Sequence, residues 1–209
     1  MIWTSALYRQ ARRIAADLTR PFRRLELGLI CRQELTGPIK MLDADIDIDI
    51  AEASTEEIER ASSLNPSGSR SEIFRWRVQN GCVCFIARAG SKLMAYNWIR
   101  LRPGVDDGDM LALADGEVFH LDLYVDENWR GSRVRAAITS RMLIFDKHHG
   151  YTTAYTKLNV FNRKAMKSAR LRGWNPAGLV LRVRGSKSGG WPIITLWGSA
   201  HPLVRLRRK

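Results

Sequence analysis

The segment from residue 117 to residue 138 constrains the fold of this chain most, because two different periodicities meet in it. Apolar and polar residues alternate as far as Val125, which predicts a β-strand with one apolar and one polar face. After a polar turn, apolar residues recur at helical spacing from Val134 to Phe145, and Gly150 supplies a stop signal. The segment therefore predicts a strand, a tight turn and a helix.

The predicted turn between this strand and this helix is strongly basic. Arg130, Arg133 and Arg135 lie on it, close to Gly131. The first turn of a helix has unpaired N–H groups and a partial positive charge, and both features favour the binding of phosphate. The three arginines add to this effect, so the turn is predicted to bind a phosphorylated ligand.

Local signals place further elements along the chain. Ser54 or Thr55 with Glu57 forms a capping-box pattern before a helix, and Asn162 is predicted to cap a helix that Gly173 ends. The remaining predictions are a strand at 45–50, a short helix at 71–79, hairpins at 82–101 and 179–197, a strand at 151–160, and either a strand or a helix at 25–31.

Three blocks of the sequence resemble the acetyl-coenzyme A binding core of the GNAT N-acetyltransferase superfamily. The first is the basic turn, which keeps four positions of the family's pattern and departs from it at three others. The positions kept are Val125, Trp129, Arg130 and Gly131, whereas Glu127 replaces a proline and Arg133 and Arg135 replace two glycines. The second block, residues 162–174, is similar to the family's Asn-x-x-Ala…Gly-Phe signature, and the third, residues 81–98, to its second and third strands.

The resemblance implies an α/β (α+β) fold, in which a mixed, mostly antiparallel and twisted sheet is flanked by helices. We assign this domain to residues 41–209. Residues 1–40 are predicted to form a basic, amphipathic extension, with a helix over residues 1–20 that ends at Pro21.

The resemblance also implies acyl-coenzyme A, acetyl or longer, as co-substrate, and no metal. A backbone N–H between Leu123 and Val125 would face the thioester oxygen, and Asn162 would contact the coenzyme arm. Arg133 and Arg135 do not allow the close backbone approach of glycine, so they either offer guanidinium groups or leave a weaker site. The predicted cofactor residues are Leu123, Val125, Arg130, Gly131, Ser132, Arg133, Val134, Arg135 and Asn162.

The polar face of the central strand supplies the candidate catalytic residues: His120, Asp122, Tyr124 and, at its start, Glu117. If the apolar face packs on the following helix, this polar face lines the acceptor cleft. An imidazole titrates near neutral pH, so His120 could deprotonate the amine directly or through a water. Asp122 would orient His120 or attract the amine, and Glu117 is the alternative base. The other interpretation is that His120 and Asp122 are a hydrogen-bonded pair without a catalytic role.

The family's general acid is a tyrosine in the helix after Asn162, and the corresponding residue here is Ala169. The resemblance therefore leaves the leaving thiolate without its usual proton donor. Tyr155 or Tyr124 could take that role, or bulk water could protonate the thiolate.

Charge and cysteine content limit the classes of partner and the compartment. The formal net charge of +13 and a pI near 10.3 indicate acidic partners. Nucleic acid is disfavoured, because no helix-turn-helix, zinc or aromatic-sheet RNA motif is found. No apolar run approaches the roughly 20 residues of a membrane span. The three cysteines show no metal-binding spacing, and their odd number fits the cytoplasm.

The sequence thus predicts an N-acyltransferase in which an amine, either a small molecule or a lipid, attacks the thioester directly. The basic N-terminus and the basic residues 205–209 leave open a peripheral position on an anionic inner membrane face, with a sphingoid-like amine and a long-chain donor. A basic entrance to the site would also suit an acidic acyl carrier protein, which is therefore an alternative donor. The lost glycines and the missing tyrosine leave open an inactive GNAT-like binding module.

Overall fold

The computed structural model describes residues 25–66, 70–102, 111, 113–183 and 193–198. Within these ranges eight strands form one sheet and four helices flank it. The strands are β1 (Leu25–Glu34), β2 (Asp49–Glu52), β3 (Val83–Ala89), β4 (Lys92–Arg100), β5 (Glu117–Val125), β6 (Thr153–Asn159), β7 (Asn175–Val183) and β8 (Ile193–Gly198). The helices are α1 (Thr55–Ser62), α2 (Ser71–Gln79), α3 (Val134–His148) and α4 (Arg163–Leu171). None of these described helices is long and apolar enough to cross a membrane.

The sheet is mixed and mostly antiparallel, which confirms the predicted fold class. Its strand order is β2-β3-β4-β5-β6-β1-β7-β8. Every neighbouring pair is antiparallel except β5 and β6, which run parallel. The parallel pair is the place where the strand before α3 meets the strand after it, so α3 is the crossover helix.

Strand β1 lies inside the sheet, between β6 and β7. Part of the segment that we predicted as an N-terminal extension, residues 1–40, is therefore an integral strand of the domain. Its residues Ile30 and Cys31 are buried, as expected for a strand with neighbours on both sides. The helix predicted for residues 1–20 lies outside the described residues.

The predicted helix caps are confirmed. Ser54 Oγ accepts a hydrogen bond from the N–H of Glu57 at 3.3 Å, and the Glu57 carboxylate accepts one from the N–H of Ser54 at 2.9 Å. Asn162 Oδ1 accepts from the N–H of Ala165 at 3.0 Å, and Gly173 follows α4 with a φ of 88°. The strand predicted at 45–50 is shifted, because pairing with β3 begins only at residue 49.

The apolar face of β5 packs away from the helix that follows it. Phe119 and Leu121 belong to a core cluster with Phe74 of α2, whereas Val118 belongs to the cluster that includes Ile138 of α3. Helix α3 thus covers the polar face of β5. The expectation that the apolar face packs on the following helix is therefore wrong. The polar face that carries His120 is consequently buried against α3.

A β-bulge at Asp122 interrupts the alternation of β5. Tyr96 and Trp98 of β4 pair with Tyr124 and Leu121, so β5 uses three steps where β4 uses two. Asp122 takes a left-handed φ of 55°, a conformation that aspartate tolerates better than most residues. Residues beyond the bulge change faces, which is why the apolar residues of β5 divide between two cores.

Strands β5 and β6 pair only at their beginnings. The parallel pairing joins residues 117–120 to residues 153–156, whereas β5 continues to Val125 and β6 to Asn159. Among the described strands, the last half of β5 therefore has no partner on the β6 side. The two strands separate at His120 and Thr156, and a cleft opens between them.

Candidate active site

The cleft passes through the sheet at the point where β5 and β6 separate. Its volume is about 630 Å³. Residues of α2, including Trp76, line it on one face of the sheet, and residues of α3 and of the segment after α4, including Thr139 and Trp174, line it on the other. Two different molecules could therefore enter from opposite faces and meet beside His120, which also lines the cleft.

His120 forms a buried pair with Asp146, which lies in the last turn of α3. The distance from His120 Nε2 to Asp146 Oδ2 is 2.6 Å, and the two residues are 3% and 0% exposed. With an ionised Asp146 and a neutral imidazole, Nε2 donates to the carboxylate and Nδ1 keeps its lone pair. Nδ1 has no hydrogen-bond partner in the described part of the chain. The ring of Trp174 lies edge-on to the imidazole at 5.7 Å.

Sequence reasoning missed Asp146, although the sequence carried a signal for it. Asp146 follows Ile138 and Met142 at four-residue spacing, so it lies on the apolar stripe of α3. An acid on a buried stripe needs a partner, because an unpaired buried charge is costly. That signal indicates a polar contact but does not identify His120 as the partner.

Asp122 is bonded to α2 and not to His120. Its Oδ2 accepts from Arg77 Nη1 at 2.6 Å, and its Oδ1 accepts from Arg70 Nη1. Both predicted forms of the His120–Asp122 pair, the orienting one and the passive one, are therefore wrong. The reason is the bulge, which directs the Asp122 side chain to the opposite face from His120. Asp122 still lines the cleft, on its α2 side.

Glu117, the predicted alternative base, lies outside the cleft. It is three residues before His120, so in a strand it belongs to the opposite face. Its Oε1 accepts from Tyr155 Oη at 3.0 Å, and its Oε2 accepts from the N–H of Ala114 at 2.8 Å. The carboxylate thus connects β5, β6 and the preceding turn.

The two tyrosines considered as proton donors are also absent from the lining of the cleft. Burial and the hydrogen bond to Glu117 raise the pKa of Tyr155 to about 12. Tyr124 stacks on Tyr96 with ring centroids 5.7 Å apart. Ala169, where the family has its tyrosine, does line the cleft, but it has no hydroxyl group. In the described residues, no tyrosine reaches this space.

The basic turn uses two of its arginines in ion pairs of its own. Arg130 Nη1 lies 2.8 Å from Glu127 Oε1, and Arg133 Nη1 lies 3.2 Å from Asp45 Oδ1. Arg133 has a φ of 61°, so it adopts the left-handed conformation that the replaced glycine would favour. The backbone remains open at Gly131, where an added Cβ would meet nothing within 4 Å. No side chain of the described residues caps the first turn of α3.

Of the predicted cofactor residues, Leu123 and Arg135 line the cleft. Val134 is buried in the α3-side core, and Ser132 Oγ donates to the Trp129 carbonyl at 2.5 Å. Asn162 caps α4. The remaining four, Val125, Arg130, Gly131 and Arg133, lie along the end of β5 and the turn, outside the lining of the cleft.

Arg135 meets a second arginine in the cleft that sequence reasoning did not assign to the site. Arg172 follows α4 and also lines the cleft. Burial and the neighbouring charge of Arg135 lower the pKa of Arg172 to about 10, and burial lowers the pKa of Arg135 as well. The cleft therefore extends from the first turn of α3 to His120, and two partly desolvated guanidinium groups line it on the α3 side.

The ligand types that metals prefer do not cluster in the described residues: no group of three or more His, Cys, Asp or Glu side chains could hold an ion there. Cys31, Cys82 and Cys84 are all buried free thiols.

No protein-family model matches the sequence, and no curated protein matches it. Solved structures do match. A protein from Novosphingobium aromaticivorans, described as an acetyltransferase of the GNAT family, superposes with a TM-score of 0.57 at 15% identity, over 76% of this chain and 63% of its own. A GCN5-related N-acetyltransferase from Sphaerobacter thermophilus gives a TM-score of 0.57 at 14% identity, over 80% of this chain and 54% of its own.

A third match is the aminoglycoside N-acetyltransferase AAC(6')-Iy, solved with a bisubstrate analogue of coenzyme A and acetylneamine. Its TM-score is 0.51 at 15% identity, and the match covers 62% of this chain and 92% of that protein. The chain thus spans less than two thirds of the length of the first two proteins and most of the third. At these identities the likeness is one of fold.

Proposed function

The chain has the fold of the GNAT acetyltransferases, and from that premise we propose that it is an N-acyltransferase, which transfers an acyl group from acyl-coenzyme A to an amine by direct attack. The observation that carries this proposal is the buried His120–Asp146 pair on the wall of a cleft that opens between separating strands. An imidazole, the carboxylate that orients it and an open main-chain edge lie together at this one place.

His120 is the proposed general base. An amine has to lose its proton before it attacks a thioester, and Nδ1 of His120, a buried atom without a hydrogen-bond partner, would take that proton directly or through a water once the acceptor occupies the cleft. Asp146 holds the imidazole in one orientation through Nε2 and stabilises the imidazolium that forms. The reaction needs no covalent intermediate on the enzyme, since the amine attacks the thioester carbon and the coenzyme thiolate leaves.

The unpaired half of β5 is the proposed binding edge for the donor. The coenzyme supplies the activated acyl group as its thioester. A main-chain N–H between Leu123 and Val125 would stabilise the oxyanion, and the same edge would hydrogen-bond the pantetheine arm. The uncapped first turn of α3, with open space at Gly131, fits the pyrophosphate.

The leaving thiolate is proposed to take its proton from water. Ala169 supplies no hydroxyl, and Tyr155 and Tyr124 are engaged elsewhere. A thiolate leaves readily without prior protonation, so a cleft whose described lining contains no tyrosine is compatible with turnover.

The proposed acceptor is a primary amine on a small molecule or a lipid. AAC(6')-Iy, one of the matched proteins, acetylates aminoglycosides, which supports an amine acceptor in this fold. On the α2 side of the cleft, the half-buried ring of Trp76 and the exposed carboxylate of Glu72 could contact a cationic amine. The segments that motivate a membrane lipid as acceptor lie outside the described residues, so that variant depends on the sequence alone.

The test is acyl transfer by the full chain, measured as thiol release. The donors are acetyl-, succinyl- and palmitoyl-coenzyme A and an acyl carrier protein, each offered with a panel of primary amines. We expect H120A and D146N to lower kcat by about 100-fold or more, with the donor KM changed little. The matched control is E117Q, which removes a carboxylate from the same strand outside the cleft and should leave kcat within about twofold.

Two results would contradict this proposal. If H120A retained wild-type kcat, the base would be elsewhere. If no donor and amine pair reacted while calorimetry still detected coenzyme A binding, the chain would be an inactive binding module. If the chain reacted with the acyl carrier protein and not with acyl-coenzyme A, the donor would be the carrier protein and the proposed acyl transfer to an amine would stand.

A further inference from the structure

Arg135 and Arg172 face the same cleft without an acidic partner. Arg172 Nη1 donates to Ser168 Oγ at 2.6 Å, and the Nε atoms of both arginines are buried without an acceptor. Within the described part of the chain, no carboxylate pairs with either guanidinium group. Two cations therefore lie close enough to repel each other in a partly desolvated space.

Other arginines of the site region are neutralised, which makes this pair distinctive. Arg70 and Arg77 share the carboxylate of Asp122. The arginines of the basic turn, Arg130 and Arg133, each contact an acid of their own. A buried cation without a counterion is costly, and a second cation beside it adds repulsion. Such an arrangement is expected where a bound ligand supplies the missing negative charge.

We propose that Arg135 and Arg172 form a binding site for an oxyanion group, a carboxylate or a phosphate, which is carried by one of the two substrates. Guanidinium groups present planar sets of N–H donors that match carboxylate and phosphate oxygens. The identification of the ligand as a substrate rests on the proposed acyltransferase function. The anion site itself rests only on the geometry of the cleft.

The position of Arg135 suits a group that is remote from the reacting atoms. Arg135 and Asp146 lie on the same helix, about three turns or roughly 16 Å apart along its axis. Arg172 is followed closely by Trp174, whose ring contacts His120. A ligand with an anionic group at one end and its reactive group at the other could therefore span from the arginines to the imidazole.

The first experiment measures anion binding without any turnover. Inorganic phosphate and succinate are titrated into the full chain, and binding is followed by calorimetry and by the shift of the melting temperature. We expect saturable binding by the wild type and about tenfold or more weaker binding by R135Q and R172Q, because each loses a charge-assisted contact. R172K keeps the charge and loses the planar set of guanidinium donors, so its affinity for the anion should lie between those of R172Q and the wild type.

The matched control is R170Q, which removes the same charge from an exposed position two residues earlier, in the last turn of α4. We expect R170Q to bind phosphate within about twofold of the wild type. Equal weakening by R170Q and R172Q would show a general effect of net charge and would overturn the proposal. Absence of phosphate and succinate binding by the wild type would overturn it as well. If R172Q does not fold, R135Q and R172K provide the same comparison.

The second experiment identifies the substrate that carries the anion. Three comparisons are made in wild type and R172Q: 4'-phosphopantetheine against pantetheine as competitors, succinyl- against acetyl-coenzyme A as donors, and carboxylated against neutral amines as acceptors. R172Q should lose the wild-type preference for the anionic compound in one of the three comparisons, and that comparison identifies the substrate that carries the anion. If R172Q changes none of the three, the claim that a substrate carries the anion is wrong. Since the phosphate titration requires no turnover, an inactive chain would refute the acyltransferase and leave the anion site standing.

Discussion

Replacement of Asp122 by asparagine tests how much one carboxylate, which pairs with arginines on the α2 side of the cleft, contributes to the free energy of unfolding. Asn has nearly the same shape and also tolerates a left-handed φ, so D122N removes the charge and keeps the bulge. The side chain of Arg77, at 2.6 Å from Asp122, is only 6% exposed, and its guanidinium group would stay buried beside a neutral amide. Breaking a buried ion pair by removing one partner costs about 3–5 kcal/mol.

We expect a loss near the lower end of that range, about 3 kcal/mol in the free energy of unfolding, because the amide oxygen of asparagine can still accept one hydrogen bond. The assay is urea unfolding, followed by the fluorescence of the seven tryptophans and extrapolated to water. The matched control is E127Q, whose partner pair is exposed, with side chains 55% and 69% accessible for Arg130 and Glu127. E127Q should cost less than about 1 kcal/mol.

A loss below about 1 kcal/mol in D122N, or an equal loss in E127Q, would refute the argument from burial. A double-mutant cycle adds a second check. In an R77M background the more buried of the two cations that contact Asp122 is gone and only the more exposed Arg70 remains, so the cost of D122N should fall by more than half. Independent costs in the cycle would show that the two side chains are not coupled, contrary to the structure.

Two further predictions concern the basic turn and a buried thiol. R133G should leave the free energy of unfolding unchanged or raise it by up to about 1 kcal/mol, because release of the left-handed strain of about 1–2 kcal/mol outweighs the exposed contact with Asp45. The substitution should also tighten coenzyme A binding, measured by calorimetry. A loss of stability in R133G would contradict the claim that the left-handed φ of Arg133 is strained. Burial raises the pKa of Cys31 from 9.0 to about 11. Between these two values the unfolded chain loses a proton that the folded chain keeps, so the stabilisation from Cys31 is complete below pH 9 and declines by about 2–3 kcal/mol up to pH 11. C31A should remove that part of the decline in urea unfolding at stepped pH, and a C31A profile parallel to the wild type would contradict the prediction.

Local patterns were sufficient to predict most of the elements around the site. The alternation before residue 125 and the helical spacing after residue 134 identified β5 and α3, because side-chain periodicity follows directly from backbone geometry. Asn162 was predicted to cap α4 for a similar reason, since its side chain reaches an N–H only three residues away. Such signals operate within one turn or one strand and do not require knowledge of the partner.

Pairings between distant segments were not predicted correctly. The His120–Asp122 pair was inferred from a regular strand, and one extra residue in β5 separates those two side chains. Strand β1 was assigned to an extension, because nothing in its own residues indicates a place between β6 and β7. Arg172 lies within the block 162–174 that resembles the family's signature, but its desolvation in the cleft depends on packing against distant parts of the chain.

By itself the sequence determined the elements, their caps, the basic turn before α3 and the excess of positive charge, all of which depend on residues that are neighbours along the chain. Only the tertiary structure decided which side chains meet. The packing of α3 on the polar face of β5 brings Asp146 to His120, and the bulge directs Asp122 to two arginines of the opposite wall. The physical reason is that a periodicity defines the faces of an element, whereas the partner of each face depends on the register, the bulges and the strand order of the whole sheet.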